Sequence, residues 1–141
     1  MGAVKSPYNF NGGYTMNCFE LDLNGEIIRL RLRSIDSVMI EKETKCKLLD
    51  FAQDYAITSI ITMLTYMRRF EIPNYSKNDA YELYDKLVDN GYTIDTILYD
   101  VIYEALAVSG FLTQADLQQM KGLKETEKEK AKNEIISELQ K

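Results

Sequence analysis

Histidine is absent from the sequence. With it go the commonest general base, the commonest metal ligand and every His-dependent catalytic triad. Cysteine occurs twice, at Cys18 and Cys46, with no CxxC spacing and no ligand cluster around either. Two thiols alone cannot close a structural zinc site, and neither has a histidine to activate it as a nucleophile. They read as packing residues of a reduced protein. Tryptophan is missing and proline occurs only twice. A long apolar run is missing too. The greasiest stretch, residues 56–67 (AITSIITMLTYM), carries Thr and Ser and is far short of the roughly 20 residues of a membrane-spanning helix. Residues 1–15 (MGAVKSPYNFNGGYT) lack the apolar centre of a signal peptide.

What remains is an ordinary globular composition over 141 residues, enough for one core. Lys and Arg total 17 against 22 for Asp and Glu, a net charge of −5. That balance runs against a duplex nucleic-acid binder, whose affinity comes mainly from neutralising phosphates. No repeat appears at solenoid periods. Three regions are expected: a flexible extension over 1–16, a hairpin with a helical bundle over 17–120, and a charged tail over 121–141, frayed or ordered by docking its apolar patch Ile135, Ile136 and Leu139.

Asn24-Gly25 lies between two alternating runs and predicts a type I′ hairpin. A two-residue loop fixes the register: Leu23 opposite Glu26, Leu21 opposite Ile28, Glu20 opposite Arg29, Phe19 opposite Leu30. Ser34 is the expected N-cap of a helix over 35–45 with Ile35, Val38 and Met39 facing inward. A short helix or turn at 47–53 precedes an apolar helix from Ile57 to about Phe70. One of its stripes is Ile57, Ile60, Ile61, Leu64 and Met67; Met63, Tyr66 and Phe70 fill the other side. Ser76 with Asp79 marks the next helix start, and Ala80, Leu83, Tyr84, Leu87 and Val88 form its inward face. Gly91 is the expected stop. Thr93 caps a further helix whose Ile94, Ile97, Leu98, Val101, Ile102, Ala105 and Leu106 keep helical spacing up to Gly110. Residues 113–120 fit one more short helix. The class is α+β, helix dominant: an N-terminal β-hairpin followed by a bundle of about four to five helices.

Candidate chemistry is sparse. Glu82, Asp85 and Asp89 share a helix face that points to solvent, where an i,i+4 Glu82–Lys86 contact suffices to explain them. Gly12-Gly13 lacks the ending of a phosphate loop. Arg29, Arg31 and Arg33 alternate on one strand without interleaved aromatics, a weak RNA signal beside Glu20 and Asp22. Arg68-Arg69 suits a helix C-terminus. No catalytic, cofactor or metal site is expected. Tyrosine is more informative, with ten copies. Tyr99 and Tyr103 lie one turn apart, off the aliphatic stripe. They fit either a partner interface or a pair half-covered by neighbouring helices. With Met63, Tyr66 and Phe70 beside them, they are the candidate partner-binding residues.

The order DLNGEIIRLRLR, SIDSVMIEKETKCKLLDF, SIITMLTYMRRF, SKNDAYELYDKLVDNGYTIDTI and YEALAVSGFL, over about residues 17–112, resembles the tail assembly chaperones of long-tailed bacteriophages. The resemblance implies a non-enzymatic, self-associating protein of the infected host cytoplasm. Such a protein binds the tape measure protein, keeps it soluble and helps recruit tail tube subunits. It implies no cofactor, no nucleic acid and no membrane. Chains of this type often begin at the hairpin, which makes Met16 a candidate start. The alternative is a small regulatory or nucleic-acid-binding adaptor from a phage or mobile element, using Arg29, Arg31 and Arg33. A small acid-catalysed hydrolase is a remote third.

Overall fold

The structure is a computed structural model that describes residues 3–10, 14–54 and 56–122, with side chains from residue 17 onward. The architecture is α+β with helix dominant. Three antiparallel strands, β1 (Ala3–Phe10), β2 (Tyr14–Leu23) and β3 (Glu26–Leu30), form one sheet in that order. The β2–β3 register is the one the turn dictates: Leu23 pairs with Glu26, Leu21 with Ile28, Glu20 with Arg29 and Phe19 with Leu30. Asn24 and Gly25 adopt positive φ, 53° and 93°, as a type I′ turn requires. Phe19, Leu21, Ile28, Leu30 and Leu32 are all buried, while Glu20 and Arg29 pair on the other face at 3.2 Å.

Within the extension expected to be flexible over 1–16, residues 3–10 form an edge strand. Residues 3–10 pair with β2 along its free edge, from Ala3 opposite Leu21 to Phe10 opposite Tyr14. Backbone pairing needs no strong side-chain alternation, so composition alone misses it. Pro7 is compatible because an edge strand tolerates a missing donor.

The sheet hands over to the helices through backbone and side-chain contacts. Arg31 donates its backbone N–H to the Met67 carbonyl at 3.0 Å instead of continuing the ladder. Arg68 reaches back and donates from Nη1 to the Arg29 carbonyl at 3.0 Å. Helix α1 (Ser34–Thr44) comes next, then α2 (Leu48–Ala52), α3 (Ile57–Arg68) and α4 (Lys77–Asp89). Every residue of α3 from Ser59 to Arg68 is buried, so it is the central helix, as an apolar circumference predicts. In α4, Ser76 and Asp79 form the expected capping box, and Ala80, Leu83 and Leu87 are buried. Tyr84 is half-buried and Val88 is exposed, so the inward face is narrower than expected.

A continuous helical run over 94–108 begins at the Thr93 cap as Ile94–Thr96, passes through a π-helical turn at Ile97–Ile102 and ends as Tyr103–Val108. The last described helix covers residues 114–122, with Thr113 and Asp116 exchanging cap hydrogen bonds. The described helices therefore number six, counting 94–108 as one, against the four to five expected. One hydrophobic cluster joins the sheet face to all of them, from Phe19 to Leu117. The tail expected over 121–141 lies, beyond Gly122, outside the described residues. Among the described residues no helix is long and apolar enough to cross a membrane.

Candidate partner-binding surface

Four of the five residues singled out as a partner surface belong to the protein's own core. Met63 is 1% exposed, Tyr66 6%, Phe70 3% and Tyr103 3%. Tyr99 is half-buried and packs against that core. The two tyrosine rings meet edge to face, 5.2 Å apart and inclined at 80°. Burial, reinforced by the neighbouring Tyr99, pushes the Tyr103 hydroxyl up to about 12. The inward turn of Tyr103 comes from the π-helical segment. The Tyr103 backbone N–H bonds to the Leu98 carbonyl, five residues back. One extra residue in that turn shifts the phase of the downstream helix by about 100° and carries Tyr103 inward. A strict 3.6-residue reading therefore misplaces it.

Helix α1 shows the opposite error. Ile35, Val38 and Met39 were expected to face inward; they are 56%, 42% and 43% exposed. Its buried residues are Asp36 and Ile40. The N-cap is Arg33, one residue before the expected Ser34. The Asp36 carboxylate accepts hydrogen bonds from the Arg33 backbone and guanidinium, and the charged bond holds the guanidinium pKa up. Turning Asp36 inward leaves the i, i+3, i+4 apolar set facing solvent. Lys42 continues that set at the next helical step. It is exposed, as are Lys45 and Lys47 beyond it.

The arginines of the hairpin have intramolecular partners. Arg29 pairs with Glu20 and, at 3.9 Å, with Glu71; Arg31 donates to the Asn17 carbonyl; Arg33 is held by Asp36. Arg68 is buried, bonded to Glu71 and stacked on Tyr75; Arg69 stacks on Tyr66 at 4.6 Å. These two are packing residues as well as helix-terminal charges. Lys86 pairs with Glu26 of the hairpin at 3.3 Å, where an intrahelical contact to Glu82 was expected. With Asn24 bonded to Asn90, this ties the turn to the end of α4.

A small cavity of about 160 Å³ sits between the hairpin and α4, lined by Glu26, Ile28, Arg68, Tyr75, Asp79, Glu82, Leu83 and Lys86. Its charges are largely committed: Lys86 to Glu26, Arg68 to the β3 backbone and Glu71, Asp79 to the Ser76 cap. Among the described residues no cluster of three or more acidic or Cys side chains is placed to hold a metal ion. Cys18 is fully buried, and burial, with the Glu20 charge second, pushes its thiol up to about 11. A thiol held protonated in this way is a poor nucleophile.

No family model matches the chain, and no curated protein or solved structure matches it either. The most distinctive feature of the surface is the outward apolar stripe of α1.

Proposed function

We propose that the chain is a non-enzymatic assembly chaperone of the phage tail type, working in the host cytoplasm. In this reading it holds an amphipathic helix of a tape measure protein in solution and self-associates while helping to recruit tail tube subunits. The observation that carries the reading is the stripe Ile35, Val38 and Met39, three large apolar side chains exposed at helical spacing on one short helix. Isolated exposed apolar residues are ordinary, but a stripe on one helix face is the receiving or presenting half of a helix-in-groove contact. The order and spacing of elements across about residues 17–112 supply the family reading. The adaptor alternative draws less support, since Arg29, Arg31 and Arg33 all have partners within the chain.

The test is co-expression with a long, helix-rich tail protein encoded next to this chain, scoring how much stays soluble. Ile35→Glu with Val38→Glu removes the stripe without touching the core. Each lost anchor is expected to weaken binding by about 2 kcal/mol, roughly thirtyfold. A folded double variant that solubilises the partner as well as the wild type overturns the reading.

A further inference from the structure

Lys86 reaches across to Glu26 on the hairpin, and this leaves a row of acids on α4 without a cation. Glu82, Asp85 and Asp89 are exposed, and none has a hydrogen-bond or ion-pair partner among the described residues. The other lysine of the helix, Lys77, is matched by Glu43 at 3.2 Å. The excess does not depend on setting paired groups aside, because α4 itself carries Asp79, Glu82, Asp85 and Asp89 against Lys77 and Lys86. Asp22 of the hairpin, which lines one hollow with Asn90 at the end of the helix, adds to it. At the end of α3, Arg68 is matched by Glu71, and Arg69 stacks on Tyr66 as the one cation left over. With all of these charges counted, the surroundings of the face stay negative.

The charge is joined to exposed apolar area. Tyr81 and Val88 are 42% and 45% exposed. They stand seven residues apart, so both project from one line along α4, two turns or about 10 Å from each other. Asp85 lies between them, and Glu82 and Asp89 run alongside at the same two-turn spacing. Ala80, Leu83 and Leu87 hold the opposite side of the helix in the core.

We propose that this face of α4 docks a cationic amphipathic helix of another protein. Its apolar side chains, two turns apart, sit on Tyr81 and Val88, and its Lys or Arg side chains meet Glu82, Asp85 and Asp89. An acidic face repels phosphate, which rules out nucleic acid and anionic lipid as occupants. Two such faces would set acid against acid, so a second copy of the chain is disfavoured as well. The apolar pair supplies contact area, and the acids select the sign of the partner and speed its approach. Exposed ion pairs are individually weak, so the contact is reversible and sensitive to salt. It is separate from the α1 stripe and does not rest on the function proposed above.

The experiment titrates the full chain with three synthetic helical peptides. One has Leu at two-turn spacing flanked by Lys, one has Glu in place of each Lys, and one is a shuffled form of the first. At low salt the Lys peptide is expected to bind about tenfold more tightly or more than the other two, and to weaken as salt rises to about 0.5 M. Tyr81→Ser with Val88→Ser, and separately Asp85→Asn with Asp89→Asn, should each weaken it several-fold at an unchanged unfolding midpoint. Ile35→Ser with Val38→Ser should leave it unchanged. Asp85→Lys with Asp89→Lys should reverse the preference toward the Glu peptide, a gain that a misfolded variant cannot mimic. Equal binding of the Lys and shuffled peptides would mean charge attraction alone and overturns the proposal. Binding that survives the α4 variants, follows the α1 variant or ignores the charge reversal overturns it too. If the α4 variants change the mass of the chain in light scattering and leave peptide binding intact, a second copy is the occupant and the proposal falls.

Discussion

Arg33 and Asp36 clamp one another at the start of α1 through three hydrogen bonds, all accepted by the Asp36 carboxylate. They come from the Arg33 backbone N–H at 3.0 Å, from Nε at 2.9 Å and from Nη2 at 3.0 Å. Asp36 is 3% exposed, yet it is one of two residues that α1 turns toward the core. A buried carboxylate must be fully hydrogen-bonded, and the guanidinium and backbone donors supply that. With Asp36 and Ile40 fixed inward, helical geometry places Ile35, Val38 and Met39 roughly a third of a turn away, in solvent. The clamp thereby decides which side of α1 is offered outward.

Removing the carboxylate should therefore loosen α1. Asp36→Ala is expected to lower stability by about 1–2 kcal/mol, the usual range for a lost cap with charged hydrogen bonds, discounted because the Arg33 side chain is 37% exposed. Asp36→Asn should cost less, since its amide oxygen still accepts from the backbone. Urea unfolding of the three proteins settles the order. If Asp36→Ala unfolds at the wild-type midpoint, the clamp does not hold the helix.

Burial also separates residues that look alike in sequence. Tyr103→Ala removes a buried ring from the core and should cost about 3 kcal/mol or more. Val38→Ala trims an exposed side chain and should stay within about 0.5 kcal/mol of the wild type. Thermal or urea unfolding of both variants compares them directly. A Tyr103→Ala protein as stable as Val38→Ala would mean that the tyrosine lies on the surface after all.

The pH profile should be flat in the middle and slope at both ends. With no histidine, no side chain with an ordinary pKa near 6.5 titrates between about pH 5.5 and 8. Asp54, Asp79 and Asp116 are held below the usual carboxylate range by backbone hydrogen bonds from Ala56, Ser76 and Thr113, with hydroxyl bonds adding to each. Their folded pKa values are depressed, so their contribution is complete above about pH 4 and is lost as pH falls through the folded values. At the alkaline end the Cys18 thiol is raised from 9.0 to about 11 and the Tyr103 hydroxyl from 10.0 to about 12. A raised folded pKa contributes stability below the unfolded value, so stability should decline as pH climbs from about 9. Denaturant midpoints across about pH 3–11 should trace this plateau. Asp79→Asn should flatten part of the acid limb and leave the alkaline limb unchanged; an acid limb identical to the wild type would remove Asp79 from the account.

The sequence by itself determined the features whose cause is local. Asn24-Gly25 sets the β2–β3 register because only a few backbone shapes close a two-residue turn, and the pairing runs as that turn requires. Ser76, Thr93, Gly91 and Gly110 mark helix ends because capping and positive φ involve only neighbouring residues. The burial of α3 reflects a circumference that has almost no polar side to expose. Tertiary structure decided the rest. Which face of α1 turns inward depends on the buried Arg33–Asp36 clamp, and an apolar stripe alone cannot reveal a charged pair that overrides it. The place of Tyr103 depends on one extra residue in a π-helical turn, which shifts the phase of every position after it. Lys86 found Glu26 across the fold and not Glu82 on its own helix, because the hairpin turn packs there. The strand over residues 3–10 exists because β2 has an edge to pair with, a fact about a neighbour rather than about those eight residues. A helix or strand carries its own signal in its neighbours along the chain; the direction it faces is set by contacts far from it in sequence.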